Sequence, residues 1–484
     1  MKKRYLHIVL LVAMLPIISL ESCSDLFLEI EPKGVLIAKK TNDYNLLLNN
    51  SASGMYELGH LLLGDEVVSA EPHYSGTPMS DKRFFQYADD FYLPTQVASE
   101  INEFLPLLYT YNKIINEVMV SEGGSEEQKK SIRAEAMVNR AWIYLFLINF
   151  YGKPYQASIA GTDPGFFIVT TSDVTVNKFE RSSVQAVYDF ILNDLNTALP
   201  DLPYSLASRM RMSKSATESL LGKTYWFMGN YQEALVHFDK AFATIPKDFP
   251  VQLFDYKVYF ASGGAWNYDA MISPEGYLSG PENGWEYQEA LFYKVMQNRY
   301  GALYNNFMLS PEALALFKTP NNSDERLKFF SDKLYGGGEI GISGLRRRIG
   351  LVDVQMGMTL PDLYLMRAEC RARTNDLTGA KADLETLRKK RMSESDALVQ
   401  ISSSTQMIKF IMEERIREFA LQGYRWFDMR RLSVDPLFAQ TSYAHRVLTS
   451  TGGLKETFPL RPERFTFRLP QMVVDQNPGM VNNP

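Results

Sequence analysis

The sequence predicts an all-α protein: a tetratricopeptide-like helical repeat scaffold with a long loop-rich insertion and minor β-hairpins. Three observations lead there. Capping signals open several segments whose apolar residues recur at helical spacing. Two of these segments match a helix–turn–helix repeat register. Between them lies a stretch crowded with aromatics but lacking periodicity. The composition supports a well-cored globular chain, with 45% of its 484 residues hydrophobic and 22% charged.

The chain begins with Lys2, Lys3 and Arg4, then an apolar run from Ile8 to Ile18, then Leu20-Glu21-Ser22-Cys23. A basic start, a short apolar core and a small residue before the break predict a secretory signal over 1–22. The run is shorter than the roughly 20 residues of a membrane span. Leu20 three residues before Cys23, with Ser22 adjacent, resembles a bacterial lipoprotein cleavage site, although Glu21 stands where a small residue is usual. Cys23 is therefore the expected lipidation site. Cys370 is then the other cysteine of the pair in the sequence, and an intrachain disulfide is excluded.

Helices follow in order. Ser125-x-x-Gln128 opens a segment that runs to Phe150, ended by Gly152 and Pro154. Ser182-x-x-Gln185 opens another, with Val187, Ile191, Leu195 and Leu199 every four residues before Pro200. Ser215-x-x-Glu218 opens a third, and Ser310-Pro311 caps a short one. Helices return from Leu360 to Leu432. Leu221-Gly222-x-x-Tyr225, Gly229-Asn230-Tyr231, Ala234-x-x-x-Phe238, Ala241 and Pro246 keep the tetratricopeptide register, with Glu218 where tryptophan is preferred. Small Gly222 and Ala234 let two helices press together, Tyr225 and Phe238 fill the gap, and Gly229 serves the turn. A second copy reads Ala368, Asn375-Asp376-Leu377, Ala380, Leu384 and Leu387. Weaker halves stand at 101–120 and in the pair 126–150 with 182–199. Such units stack and share a core.

Residues 247–358 form the loop-rich region, with short strands expected over 325–358 around Gly336-Gly337-Gly338. A second polar–aromatic stretch runs from Glu71 to Tyr92. From Ser433 the chain reads as an irregular tail. The scaffold thus occupies mainly 40–246 and 359–432 of one domain spanning 23–484.

Several segments carry a family resemblance. CSDLFLEIEPKG after the signal, YNKIIN at 111–116, IRAEAMVNRAWIYLFLINFYGKPY at 132–155 and RSSVQAVYDFILNDLNTALPDLP at 181–203 are similar to recurring motifs of the SusD/RagB family of outer-membrane nutrient-binding lipoproteins. RMSKSATESLLGKTYWFMGNYQEAL at 211–235, YLMRAECRARTNDLTGAKADLETLRKKR at 364–391, EERIREFALQGYRWFDMRR at 413–431 and RLPQMVVDQNPG at 468–479 extend the likeness over the mature chain. Gln422, where an acidic residue is common, and Met480, where an aromatic is expected, depart from it. The resemblance implies a surface-exposed lipoprotein, lipid-anchored to the outer membrane, that captures an oligosaccharide or a peptide. It also implies delivery to a TonB-dependent, SusC-like transporter. A protein-assembly repeat scaffold and a glycan-cleaving enzyme are the competing classes.

Aromatics at helical spacing, such as Tyr144, Phe146 and Phe150, belong to a core. Those in loops rich in Gly, Asn and Ser have no periodic face to bury, and their rings suit the C–H faces of sugars while amides and guanidinium groups bond hydroxyls. The expected exposed ligand residues are Tyr74, Arg83, Phe84, Trp266, Tyr268, Asn283, Trp285 and Tyr287.

Catalytic and cofactor signals are weak. The carboxylates and arginines of 413–431 read as an ion network of sequence-local origin, orienting the last repeat against the tail. Gly336-x-Gly338-x-x-Gly341 lacks the strand and helix a dinucleotide loop needs. Two cysteines and five histidines give no metal-ligand pattern, and Cys370 reads as a small packed residue. With 51 basic and 56 acidic residues, the charge balance argues against nucleic acid. No cofactor, metal or catalytic residue is expected.

Overall fold

The computed structural model describes residues 38–50, 59–173, 175–176, 178–204, 208–249, 251–266, 287–297, 305–335, 337–349 and 353–484. The expectations for the signal segment and Cys23, and for Tyr268, Asn283 and Trp285 in the loop, lie outside them.

Ser125 caps the long helix Glu126–Tyr151, its Oγ accepting the Gln128 N–H at 3.2 Å, and Gly152 ends it. The next two caps differ from expectation. The backbone of Ser182 is engaged with Gly165 and Phe166, so Ser183 caps Val184–Ala198 instead. Ser213, not Ser215, caps Lys214–Phe227. Ser215 lies within the first turn and donates to the Ala241 carbonyl at 2.8 Å, clamping this helix to Tyr231–Ala243. Ser310 caps the short helix Pro311–Ala315 as expected.

Both repeat units form as read. Gly229, at φ +73°, makes the turn of the first, and a Cβ on Gly222 would sit 2.5 Å from the Phe238 ring. Ala234, Phe238 and Ala241 are fully buried there. The second unit pairs Leu360–Arg373 with Leu377–Arg388 across Asn375, at φ +65°, and Asp376 caps its second helix. Ala368, Ala380, Leu384 and Leu387 close its interior against Ser404–Phe419. The two units stack on each other: the Arg367 guanidinium lies 3.6 Å from the Phe242 ring centroid, beside Tyr364.

Short strands accompany the helices among the described residues. β1 (Val67–Ala70), β4 (Met308–Leu309), β9 (Ala444–Leu448) and β10 (Leu454–Pro459) form one sheet in the order β10-β9-β1-β4, with β1 and β9 parallel. β2 (Ala290–Phe292) pairs β8 (Met358–Thr359), β3 (Val295–Gln297) pairs β7 (Asp353–Gln355), and β5 (Phe330–Ser331) pairs β6 (Arg347–Arg348). The tail expected to be irregular therefore contains a hairpin. β10 is an exposed edge with no buried face, so alternation had little to reveal. Near the triple glycine, Lys333 bridges to Glu339 and residues 337–349 form no helix, which disposes of a dinucleotide loop.

The 413–431 charges form a buried structural network that is only partly sequence-local: Arg417 pairs with Glu414 within the motif, but other members reach distant segments. Arg415 joins Asp362 and Asp428, both at 2.7 Å. Glu414 meets Arg326 and Arg388, and Glu418 meets Arg326 and Arg391. Arg425 pairs with Asp65 at 2.6 Å. Arg430 donates to Asn149 and to the Phe465 carbonyl, which does fix the tail. Cys370 is fully buried, and burial pushes its thiol up.

Candidate functional site

Two aromatic clusters hold the described candidates. The first follows β1. The buried strand leads through residues 71–78 into the helix Met79–Phe85, whose inner face carries Phe84 and Phe85. Phe84 stacks on Phe91 with centroids 4.6 Å apart and meets the Tyr92 edge at 5.4 Å. These three rings, with Ser80, Gln96, Val97 and Ser99, line a groove of 260 Å³. Beneath it the Glu100 carboxyl accepts hydrogen bonds from the Tyr92 and Tyr151 hydroxyls, both at 2.5 Å. Burial pushes that carboxyl up, against the two phenols that favour its ionised form. Arg83, half-buried on the same short helix, has its Nε enclosed with no hydrogen-bond partner among the described residues.

The second cluster follows the first repeat. Trp266 is packed by Phe254 at 5.1 Å, Tyr259 at 4.7 Å and Phe329 at 5.8 Å. Tyr287 meets the same Phe254 ring at 5.2 Å. Trp266 and Tyr287 thus flank the segment 267–286 and are pinned to one ring. Arg391 secures this base: its guanidinium faces the Tyr256 ring at 3.9 Å, donates to the Phe254 carbonyl, and joins Glu289 at 2.7 Å and Glu418 at 2.8 Å.

Exposure is where the sequence reading needs correction. Tyr74, Phe84 and Trp266 are 6%, 3% and 2% exposed and belong to packed clusters. The Tyr74 hydroxyl accepts from Gln86 at 2.8 Å, and its ring leans on Phe85 and Phe458. Large rings in a loop gain more from packing against each other than from remaining in water. Phe84 nevertheless lines the groove. Tyr287 is half-buried at the second base, and Tyr268, Asn283 and Trp285 fall outside the described residues. Arg83 and Phe84 share one cluster while Trp266 and Tyr287 share the other.

Phe91, Tyr92 and Gln96 were not singled out from sequence, though the first two stand in the same aromatic stretch. Glu100 gave no local signal, because Tyr151 reaches it from another helix. The groove's described lining contains no Asp or Glu. Its chemistry is that of ring faces, an amide and hydroxyls, suited to holding a neutral polar ligand. Among the described residues no group of three His, Cys, Asp or Glu is placed to hold a metal. None of their helices is long and apolar enough to cross a membrane.

A helical-repeat scaffold carrying aromatic loop clusters is the class this architecture defines. The model of the SusD family matches residues 357–484, and a second, described as starch-binding associating with outer membrane, matches residues 27–226. A SusD-like protein P2 of Formosa agariphila is 24% identical over 234 residues, which is 45% of this chain and 43% of that relative's length. A putative sugar binding protein from Bacteroides vulgatus has a similar structure, with a TM-score of 0.68 at 17% identity over 93% of this chain and 99% of its own. A SusD superfamily protein from Bacteroides thetaiotaomicron also gives 0.68, at 18% identity, over 92% and 100%. The chain belongs to the SusD/RagB family.

Proposed function

We propose that the protein is a surface-exposed outer-membrane lipoprotein, anchored through Cys23, that captures an oligosaccharide and delivers it intact to a TonB-dependent, SusC-like transporter. The observation that carries this reading is the pinning of Trp266 and Tyr287 on Phe254. Both residues that flank the segment containing Tyr268, Asn283 and Trp285 in the sequence are thereby held on the scaffold, and fixing the ends of a ligand-bearing segment lowers the ordering cost of capture. The groove lined by Phe84, Phe91 and Tyr92 supplies a second set of ring, amide and hydroxyl groups. The names of the related proteins, a sugar binding protein and a starch-binding family model, support the ligand class.

The assembly-scaffold reading has less support, because the outer face of the first repeat is already covered by the second at Phe242 and Arg367.

Calorimetric titration of the protein lacking residues 1–22 with neutral oligosaccharides tests capture. Replacing Tyr268 and Trp285 together by Ala should weaken binding by about 1–3 kcal/mol, at ~0.5–1.5 kcal/mol per ring. Unchanged affinity would remove the loop from the site, and sustained cleavage of the glycan would overturn the non-enzymatic reading. Cys23→Ala should release the protein from membranes or leave uncleaved precursor. Mild detergent extraction should recover the native protein with a large barrel; recovery alone would count against the transporter partner.

A further inference from the structure

A second groove, of 590 Å³, opens far along the chain from both clusters. It lies between the segment 433–443 after the last repeat helix, the segment 460–466 after β10, and the chain's last residues. Its volume falls within the roughly 300–1,000 Å³ range of small-ligand sites. Phe438, Tyr443 and Phe465 supply ring surface, with Tyr443 and Phe465 set edge-to-face at 6.1 Å.

Two lining side chains that are more than nine-tenths buried each leave a polar atom unused. Tyr443 is 5% exposed, and its hydroxyl has no hydrogen-bond partner among the described residues. Asn483 is 7% exposed, and its Nδ2 donates to the Tyr151 carbonyl at 2.8 Å and the Phe467 carbonyl at 2.6 Å. Those two acceptors occupy both amide hydrogens and fix which way the amide faces, so Oδ1 remains as an unused acceptor. Neither atom is sealed from solvent: both open onto the groove, a donor and an acceptor that a ligand or water can complete. Thr466 also lines the groove, its hydroxyl donating to the Gly152 carbonyl at 3.5 Å.

The charges decide the ligand class. Lys153, at the groove's edge, is held by Asp163 at 2.6 Å, and Glu463 is the acidic side chain of the lining. Neither sign is in excess, which disfavours a phosphate or a uronate. We propose that this groove binds a neutral oligosaccharide segment, with sugar hydroxyls on Tyr443 and Asn483 and ring C–H faces on the aromatic walls. This rests on the proposed function for the ligand class alone; the groove uses none of its site residues.

The test is calorimetry with maltoheptaose, cellohexaose, xylohexaose and laminarihexaose on the protein lacking residues 1–22. Four proteins are compared: the starting protein, Tyr443→Phe, Ala439→Trp, and the Tyr268→Ala/Trp285→Ala loop variant. Ala439 is exposed at the groove wall, so a tryptophan there fills the space without entering the core. Thermal unfolding of each variant shows whether it is folded. Expected are two binding events on the starting protein. Tyr443→Phe should weaken one of them roughly threefold to tenfold, as for a lost neutral hydrogen bond. Ala439→Trp should abolish that same event, while the loop variant keeps it. A single event lost in the loop variant and untouched by Tyr443→Phe and Ala439→Trp overturns the groove and leaves the proposed function standing. An event lost only in the groove variants upholds the groove and removes the loop. Silence of the starting protein toward all four glycans overturns both.

Discussion

Trp226 and Glu369 meet in the interior, the indole Nε1 donating to the carboxylate at 2.8 Å across 143 residues of sequence. The same carboxylate takes Arg373 at 2.7 Å and Arg431 at 2.9 Å, and the Arg431 guanidinium lies 3.7 Å from the Trp226 ring. One acidic group thus ties both repeat units to the helix Tyr424–Leu432. Burial opposes its ionisation, but Arg431 and Arg373 overcome that and hold the carboxyl at about 2. Its contribution is present above the unfolded carboxyl range and is lost as pH falls toward 2. Glu369→Gln leaves Arg431 buried with its main partner gone and should cost about 3–5 kcal/mol in urea unfolding at pH 7. A loss within experimental error of zero would show that the network tolerates the uncompensated charge.

Gly222→Ala separates two opposing effects. Alanine improves an interior helix position by about 1 kcal/mol over glycine. Its Cβ, however, would meet two Phe238 ring carbons at 2.5 Å and the Ala234 carbonyl at 3.1 Å. Overpacking of this kind costs about 1–3 kcal/mol. Phe238 is fully buried and the carbonyl belongs to a helix, so neither can easily retreat. A net loss of up to about 2 kcal/mol is expected, with part of it recovered in Gly222→Ala/Phe238→Leu. Stabilisation by the single change would mean that the two helices separate freely.

The repeat units were legible in the sequence because their residues act locally: Gly229 turns the chain, Asp376 caps a helix, and Ala234 and Phe238 recur on one face. Ser182 and Ser215 misled because capping depends on which serine is already engaged elsewhere, Ser182 through its backbone with Gly165 and Ser215 through its hydroxyl with Ala241. The same limit applies to the charges of 413–431. Pairing of Arg425 with Asp65 and of Arg415 with Asp362 cannot be read from spacing. The described loop aromatics gather in two clusters, one in each aromatic stretch, but their exposure was not legible. Whether Phe84 faces water depends on Phe91 stacking over it, and Trp266 on the rings around Phe254.

His60 should make stability pH-dependent. It is 2% exposed, packed between Phe150 at 5.3 Å and Phe427 at 5.1 Å, and burial pushes its imidazole down to about 3. An unfolded histidine titrates near 6.5. Between those values the unfolded chain binds a proton that the native state refuses, so stability rises with pH across the window and is full above it. This residue's share should amount to about 2 kcal/mol between pH 5 and pH 7. His60→Phe keeps an aromatic ring in the same surroundings and removes the titration. Urea unfolding of both proteins at the two pH values should show the smaller pH effect in the variant; equal effects would place the proton on His60 in the native state as well.

Trp266→Ala distinguishes a core role from a ligand role at the base of the aromatic loop. If the indole mainly supports the cluster, its removal leaves Phe254, Tyr256, Tyr259 and Phe329 around a cavity. Large aromatic truncations in cores cost about 3–5 kcal/mol. Because Arg391 holds the Phe254 carbonyl and Glu289 together, part of that loss should appear as local loosening on both sides of the segment 267–286. Hydrogen exchange at the Phe254 amide, which donates to Glu289 at 2.9 Å, reads that loosening directly. The expected result is a lower unfolding midpoint together with faster exchange at Phe254, in the absence of any glycan. A variant with unchanged stability and exchange, but with weakened glycan binding, would return Trp266 to the ligand surface and contradict its placement in the packed base.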